Sequence, residues 1–276
     1  MLDPMEHPSA SRSAAFFDLD KTIIARSSTL AFSRPFYAGG LINRRTVLRS
    51  AYAQFMYLLG GADHDQMERM REYLSAMCTG WDVQTVRAIV ADTLHHIVEP
   101  MIYDEAVTLI SEHHAAGRDV VIVSSSGAEV VEPIGAMLGA DKVIATRMVV
   151  ADGKYTGEIS QYAYGPHKAT AITELAAAEG YDLKGSYGYS DSITDEPMLA
   201  AVGHPFAVNP DKALRRLAVA RDWPVLDFTK PVALEEGKRF HEVRRPAIAA
   251  TLVGAALTAA GLLLYAARRR SKLNES

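Results

Sequence analysis

An apolar run that ends in two acids separated by a single residue fixes the start of this chain's fold. Ala14-Ala15-Phe16-Phe17 carries no polar side chain and reads as a buried strand, and Asp18-Leu19-Asp20-Lys21-Thr22 follows it directly. The carboxylates of Asp18 and Asp20 therefore emerge at a strand's carboxyl end. On a strand, residues i and i+2 share a face, so both acids are expected to point into one crevice. Open α/β sheets bind ligands at that edge. Two carboxylates so close repel each other unless a cation or a shared proton relieves them. The arrangement suits a metal-assisted site with one nucleophilic and one acid/base carboxylate. For Asp18 taken alone, the plain alternative is an acid at a sheet edge or a helix cap.

Further strand ends follow in order. Asp119 to Val123 reads as a second buried strand running into Ser124-Ser125-Ser126-Gly127, a small, hydroxyl-rich turn before a helix. Lys168 opens another helix after Gly165-Pro166-His167, and Ser186 to Ser190 is a short third strand leading into Asp191-Ser192-Ile193-Thr194-Asp195. Helices are expected at Ala106 to His114, Ala128 to Leu138, Lys168 to Glu179, Asp195 to Ala201 and Lys212 to Arg221. Strands are expected at Lys142 to Ile144 and Pro205 to Val208, with a hairpin over Met148 to Ile159 turning at Asp152-Gly153. Alternation of this kind means an α/β fold, a mostly parallel sheet with helices on both faces. Ser27 to Pro100 has no strand-like alternation. It reads as helices over Ser28 to Ala38, Asn43 to Leu59, Asp63 to Met77 and Asp82 to Glu99, with Asn43 and Asp82 as N-caps.

Four elements in sequence carry a resemblance: D-x-D-x-T at Asp18 to Thr22, a strand-ending Ser124, Lys168, and D-x-x-x-D at Asp191 to Asp195. Together they resemble the haloacid dehalogenase superfamily of phosphohydrolases, over roughly residues 14 to 230. The resemblance implies a Rossmann-like doubly wound sheet. It also implies a cap domain inserted between the first two catalytic strands, and an all-helical cap resembles the phosphoserine-phosphatase-like branch. It assigns Asp18 as the nucleophile that forms an aspartyl-phosphate, and Asp20 as the acid/base group. Asp191 is implied as a direct Mg²⁺ ligand with Asp18 and the main-chain carbonyl of Asp20, and Asp195 as its support. Ser124, the Ser125 turn and Lys168 are implied to bind the phosphoryl oxygens, and Thr22 to order the loop after the acids.

The residues themselves leave alternatives. N-capping is a rival role for Asp195, as it is for Ser124 and its neighbours Ser125 and Ser126, and a lone Lys is ordinarily a solvated surface group. Lys21 reads as a surface group or one that supports the acids. His95-His96 and His113-His114 read as structural or solvent-facing, not as metal ligands. Two positions depart from the phosphoserine phosphatase pattern. Ser27 stands where an acid would meet the substrate amine, and Ser-Ser-Ser stands for Ser-Gly-Gly, which points away from phosphoserine itself. A phosphotransferase on the same scaffold and a non-catalytic phospholigand-binding protein remain as alternatives. Asp20 disfavours a dehalogenase.

Charge is divided unevenly. The chain's net charge is −4, but from Lys238 onward eight basic residues face two acidic ones, so the preceding part carries −10. An acidic folded portion argues against nucleic acid as its ligand. Ala247 to Ala267 is a run of 21 uncharged residues bracketed by Arg244, Arg245 and Arg268 to Arg270. At ~1.5 Å per residue it spans ~30 Å, the thickness of a bilayer's hydrocarbon core. It is expected to be a transmembrane helix, a buried core helix being the alternative. Arginines on both flanks leave its orientation undecided by charge. With no apolar leader core in Met1 to Ser13, the catalytic domain is expected in the cytoplasm, anchored by its carboxyl end. Ala250, Gly254 and Thr258 form a small-residue row that could pair helices in a homodimer. An anchor suggests a small phosphate ester at or near the bilayer as substrate. The single cysteine, Cys78, excludes an internal disulfide. The expected division is a disordered stretch 1–13, a core of 14–26 and 101–230, and a cap 27–100. A linker 231–246, the transmembrane helix 247–267 and a basic tail 268–276 complete it.

Overall fold

The computed structural model describes residues 12–42 and 75–229. The expected helices Asn43 to Leu59 and, for the most part, Asp63 to Met77 lie outside these residues. So do the Asn43 cap, the linker, the apolar run Ala247 to Ala267 and the basic tail. Among the described residues, no helix is long and apolar enough to cross a membrane.

Strand β1 (Ala14–Phe17) is buried along its whole length, and its alternate residues separate two apolar clusters. Ala15 and Phe17 join Val120 and Ile122 of β2 (Asp119–Gly127) on one face, whereas Ala14 and Phe16 join Val121 and Val123 on the other. A period of two with both faces apolar is what a central strand between helical layers requires. Each of Phe16 and Phe17, fully buried, contributes roughly 1.5–3 kcal/mol of apolar transfer.

One apolar cluster takes in residues of α1 (Ser28–Ala38), α2 (Val83–Val98), α3 (Asp104–Ala115) and α4 (Ala128–Leu138), of which α3 and α4 lie against β2. The other takes in residues of α5 (Pro166–Glu179), the short α6 (Glu196–Ala200) and α7 (Lys212–Ala220). The remaining strands are β3 (Lys142–Ala151), β4 (Lys154–Gln161), β5 (Tyr187–Ser190), β6 (His204–Val208) and β7 (Val225–Leu226). The sheet order is β4-β3-β2-β1-β5-β6-β7, parallel throughout except for the antiparallel β3–β4 pair. Winding reverses between β1 and β5. That reversal opens a crevice at the carboxyl ends of the strands, and Asp18 and Asp191 stand beside it.

Several boundaries differ from the sequence expectation for physical reasons. The strand at Lys142 and the first arm of the hairpin are one continuous strand, β3, because Ala145 and Thr146 between them are buried and the strand is paired on both sides, with β2 and with β4. The turn is at Asp152-Gly153 as expected, both with positive φ (50° and 76°), the geometry that a two-residue hairpin demands. The described residues also begin before Ala14. Arg12, within the expected stretch 1–13, bridges to Tyr181 and pairs with Asp119 at 2.6 Å. Strand β7 carries no sequence signal beyond two apolar residues, and it forms because β6 offers an open edge.

Helix α2 starts where Asp82 caps it, accepting from Thr85 N–H at 2.7 Å. Its entry is stitched to the hairpin through Gly80 N–H to Tyr155 O (2.8 Å) and Val83 N–H to Gly153 O (3.0 Å). The apolar faces of α1 and α2 (Phe32, Phe36, Val86, Val90, Leu94) lie in the same cluster as β1 and β2. His113 is structural, as expected. Its ring lies under the sheet, Nε2 2.9 Å from the Tyr189 hydroxyl, and Nδ1 accepts from Arg118 Nε at 2.7 Å. That acceptor role leaves the proton on Nε2, which donates to Tyr189. Burial, with Arg118 adding to it, pushes its pKa down to about 4, so the ring is neutral.

Candidate active site

The strand end at β1 is locked before its acids begin. Asp18 N–H donates to Tyr189 O on β5 at 2.9 Å, so the nucleophile candidate is held at the reversal of winding. Its side chain is 9% exposed, and its Oδ1 meets Lys168 Nζ at 2.6 Å. Lys168 is the third residue of α5 and is itself 3% exposed in its side chain, far from the solvated lysine of the plain reading. The same ammonium reaches Asp195 Oδ2 at 2.7 Å, and the Ser190 hydroxyl donates to that oxygen at 2.7 Å. Thr22 Oγ1 donates to Asp18 Oδ2 at 3.3 Å, across a four-residue turn. One buried ammonium thus joins two buried carboxylates from three chain segments.

This geometry settles the capping alternatives. Asp195 stands at the N-cap position of α6 but makes no cap hydrogen bond, because its carboxylate serves Lys168 and Ser190. Helix α4 is preceded by Gly127, with no side-chain cap, so neither Ser125 nor Ser126 caps it. The expected turn at Ser124 to Gly127 is instead a continuation of β2, with a register shift against β3 between Ser124 and Gly127. Ser124 is buried, and its Oγ accepts the Ser126 N–H at 3.2 Å, which leaves its hydroxyl proton available to an incoming acceptor. Ser125 is exposed, and no hydrogen bond joins it to the other site residues.

Asp20 departs from the two-acids-on-one-face expectation. β1 stops at Phe17, so Asp20 belongs to a loop closed by the Asp20–Ile24 bridge, and strand alternation no longer dictates its direction. Its Oδ1 accepts the Ser28 N–H at 2.7 Å and its Oδ2 lies 3.3 Å from the Ser126 hydroxyl. Ser28 is the first residue of α1, whose N-cap Ser27 makes no side-chain cap bond. The Asp20 carboxylate therefore takes that place at the positive end of the helix.

Asp191 follows β5 and is buried, with its main-chain oxygen accepting from Asp211 N–H at 2.8 Å. Among the described residues its carboxylate receives no hydrogen bond, and the ion-pair partner it has is Lys21 Nζ at 4.0 Å. Burial pushes the Asp191 carboxyl up to about 6, with Lys21 pulling the other way. Burial also pushes the Asp18 carboxyl up to about 7, against the attraction of Lys168, while Asp195 and then Asp20 add repulsion. Lys168 moves upward too. Burial alone would discharge it, but Asp18 and Asp195 outweigh burial and keep the ammonium charged.

Four acids and one buried ammonium leave an excess of negative charge. An under-satisfied buried carboxylate at Asp191 marks where a cation fits. Among the described residues, no three His, Cys, Asp or Glu side chains converge into a ready-made cage. A hard divalent ion such as Mg²⁺ does not need one, since it takes one or two carboxylates and keeps several waters. The donor set of Asp18, Asp191 and a main-chain oxygen at Asp20 suits it.

Sequence reasoning placed Asp18, Thr22, Lys168 and Asp195 together, and the structure does so as well. It missed Ser190 as the second partner of Asp195 and Ser28 and Ser126 as partners of Asp20. Ser190 had a signal, a hydroxyl directly before Asp191. Ser28 and Ser126 had none, because they are 98 residues apart.

Comparison with known proteins accords with this geometry. The haloacid dehalogenase-like hydrolase family matches residues 15–200. The chain is 66% identical over 276 residues to the inhibition of morphological differentiation protein of Streptomyces azureus, covering 99% of this chain and 100% of that one. It is 60% identical over 260 residues to a probable phosphatase of Mycobacterium tuberculosis, covering 94% and 90%. Among solved structures, a phosphoserine phosphatase bearing an analogue of its phospho-aspartyl intermediate shares the fold. The TM-score is 0.57 at 19% identity, with 80% of this chain and 95% of that one covered. With its strand-end acids, its buried lysine and a match over most of its length, the chain belongs to the haloacid dehalogenase-like hydrolase family, in the branch whose fold phosphoserine phosphatase shares.

Proposed function

We propose that this protein hydrolyses phosphate monoesters through a covalent aspartyl-phosphate on Asp18, with Mg²⁺ as cofactor. The observation that carries the reading is the Lys168 ammonium seated between Asp18 Oδ1 and Asp195 Oδ2. A charge buried in that way fixes one oxygen of Asp18 and leaves Oδ2 for attack, with the Thr22 hydroxyl hydrogen-bonded to it at 3.3 Å. Asp18 Oδ2 forms a bond to phosphorus as the ester P–O bond breaks, and Asp20 gives its proton to the departing alkoxide. Asp20 then takes a proton from the water that attacks the aspartyl-phosphate, which releases inorganic phosphate and restores Asp18. The Ser124 hydroxyl and Lys168 hold the phosphoryl oxygens through the transfer. Asp18, Asp191 and the carbonyl of Asp20 would hold Mg²⁺, which when bound neutralises charge on the phosphoryl group.

The 21 uncharged residues Ala247 to Ala267, with arginines at both ends, support a carboxyl-terminal membrane anchor with the catalytic domain on the cytoplasmic side. A substrate at or near the bilayer, a lipid-related phosphate ester, accords with such an anchor. So does the neutral Ser27 in place of an acid that would recognise an amine.

The test is a phosphate-release assay with and without Mg²⁺ on wild type and Asp18→Asn. Asp18→Asn is expected to lower turnover by ~10⁴-fold or more, and chelation of Mg²⁺ to stop the wild type. Unchanged activity in Asp18→Asn overturns the nucleophile assignment. Removal of residues 246–276 is expected to release the protein from membranes; full-length protein already free in solution overturns the anchor.

A further inference from the structure

We infer that Ser126 and Ser28 are positioning residues for the acid/base carboxylate, forming a hydroxyl relay that aims Asp20 only while helix α1 is seated against the end of β2. The inference rests on the reading of Asp20 as acid/base, and goes beyond it by naming what holds that group.

The donors and acceptors can be counted. A serine hydroxyl has one proton to give and two lone pairs to receive. A carboxylate only accepts, so the 3.3 Å contact between Ser126 Oγ and Asp20 Oδ2 takes the Ser126 proton. Ser126 Oγ must then accept in its 2.8 Å contact with Ser28 Oγ, which makes Ser28 the donor there. The Thr29 hydroxyl lies 3.3 Å from the same oxygen and can fill its second lone pair. Ser126 is itself fixed, because its N–H donates to Ser124 Oγ at 3.2 Å. Ser28 and Ser126 are both buried, at 0% and 7% exposure, so water does not compete for these bonds.

Apart from the Ser126 N–H bond to Ser124, each bond crosses an element boundary. Ser28 and Thr29 belong to the first turn of α1, Ser126 to the end of β2, and Asp20 to the loop after β1. The Ser28 N–H holds Asp20 Oδ1 at 2.7 Å while the relay holds Oδ2. Withdrawing α1 would therefore remove the N–H and the head of the relay together. An acid must lie within hydrogen-bond reach of the leaving oxygen to act, so the seat of α1 decides whether protonation is available.

The experiment uses full-length protein and compares kcat/KM for two substrates, which reads the chain of events through formation of the aspartyl-phosphate. p-Nitrophenyl phosphate releases a stable phenolate and needs little acid help. An alkyl phosphate such as glycerol phosphate releases a poor leaving group and needs the acid. Asp20→Asn sets the scale, with a loss of ~10²-fold or more on the alkyl ester and a much smaller loss on the aryl ester. Ser126→Ala is expected to lose ~10-fold or more on the alkyl ester and less than ~3-fold on the aryl ester. Ser126→Thr, which keeps the hydroxyl, should restore most of the alkyl activity. Ser28→Ala/Ser126→Ala should be no worse than Ser126→Ala alone within ~2-fold, as members of one relay. Equal losses on both esters from Ser126→Ala, or no loss on either, overturn the positioning role while leaving the Asp20 assignment in place. Absence of leaving-group dependence in Asp20→Asn overturns both.

Discussion

The two acids of D-x-D-x-T sit two residues apart in sequence and in different physical surroundings. Asp18 is buried against a charged partner, in a constellation of Lys168, Asp195 and Ser190 whose shortest links are 2.6 to 2.7 Å. Asp20 is half-buried and held by neutral donors, one main-chain N–H and one serine hydroxyl. A group that must carry negative charge to attack is matched to an ammonium. In the proposed reaction the group that exchanges a proton in both directions is matched to a main-chain N–H and a serine hydroxyl, which orient it. On the proposed roles, the difference separates nucleophile from acid by their neighbours, since their position along the strand does not.

That contrast can be broken most severely at its charged half. Lys168→Met would leave Asp18 and Asp195 buried without a counter-ion, and is expected to destabilise the fold by ~3–5 kcal/mol at neutral pH, read by denaturant unfolding. The penalty should shrink in acid. A carboxyl whose folded pKa lies above its unfolded 3.8, as Asp18 does at about 7, binds more protons when folded, so its burial favours the fold at low pH and opposes it as pH rises through that window. A Lys168→Met penalty that is constant from pH 8 to about 5 would show that Asp18 takes up no proton in that window.

Asp195→Asn keeps an acceptor for Ser190 but removes one of the two charges on Lys168, and is expected to cost ~1–3 kcal/mol. Ser190→Ala takes away a single buried donor and is expected to cost ~1 kcal/mol. If Ser190→Ala proved the more costly, the hydroxyl rather than the ammonium would be what holds Asp195.

The smallest effect sharpens the comparison from outside the site. His113 is a buried group of opposite sign, depressed from 6.5 to about 4. The unfolded chain binds its proton first, so stability is fully present above pH 6.5 and declines as pH falls toward 4. His113→Gln is expected to flatten that part of the stability profile, measured as Tm against pH. A slope that survives the substitution would have to come from another group.

Much of the sheet was legible because its signal is local. β1 and β2 are apolar on both faces, α1 and α4 begin and end at the predicted residues, and the Asp152-Gly153 turn has positive φ at both positions. Lys168 was legible only through its order among the other motifs, since nothing about a single lysine announces burial. The surroundings of Asp20 were not legible at all. A period-two argument assumes the strand continues, and β1 ends one residue before Asp18. The Ser124 to Gly127 segment misled in the other direction, since small hydroxyl residues suggest a turn and here extend a strand.

The chain's own letters determined which strands lie in the core, where they end and which charged groups stand at those ends. These follow from the alternation of apolar side chains and from turn chemistry, and both act over a few residues. Tertiary structure alone decided which partner each acid received. Lys168 reaches Asp18 across 150 residues and Ser126 reaches Ser28 across 98. Contacts of that span exist only after the sheet has closed around its apolar faces and excluded the water that would otherwise satisfy each of these groups separately.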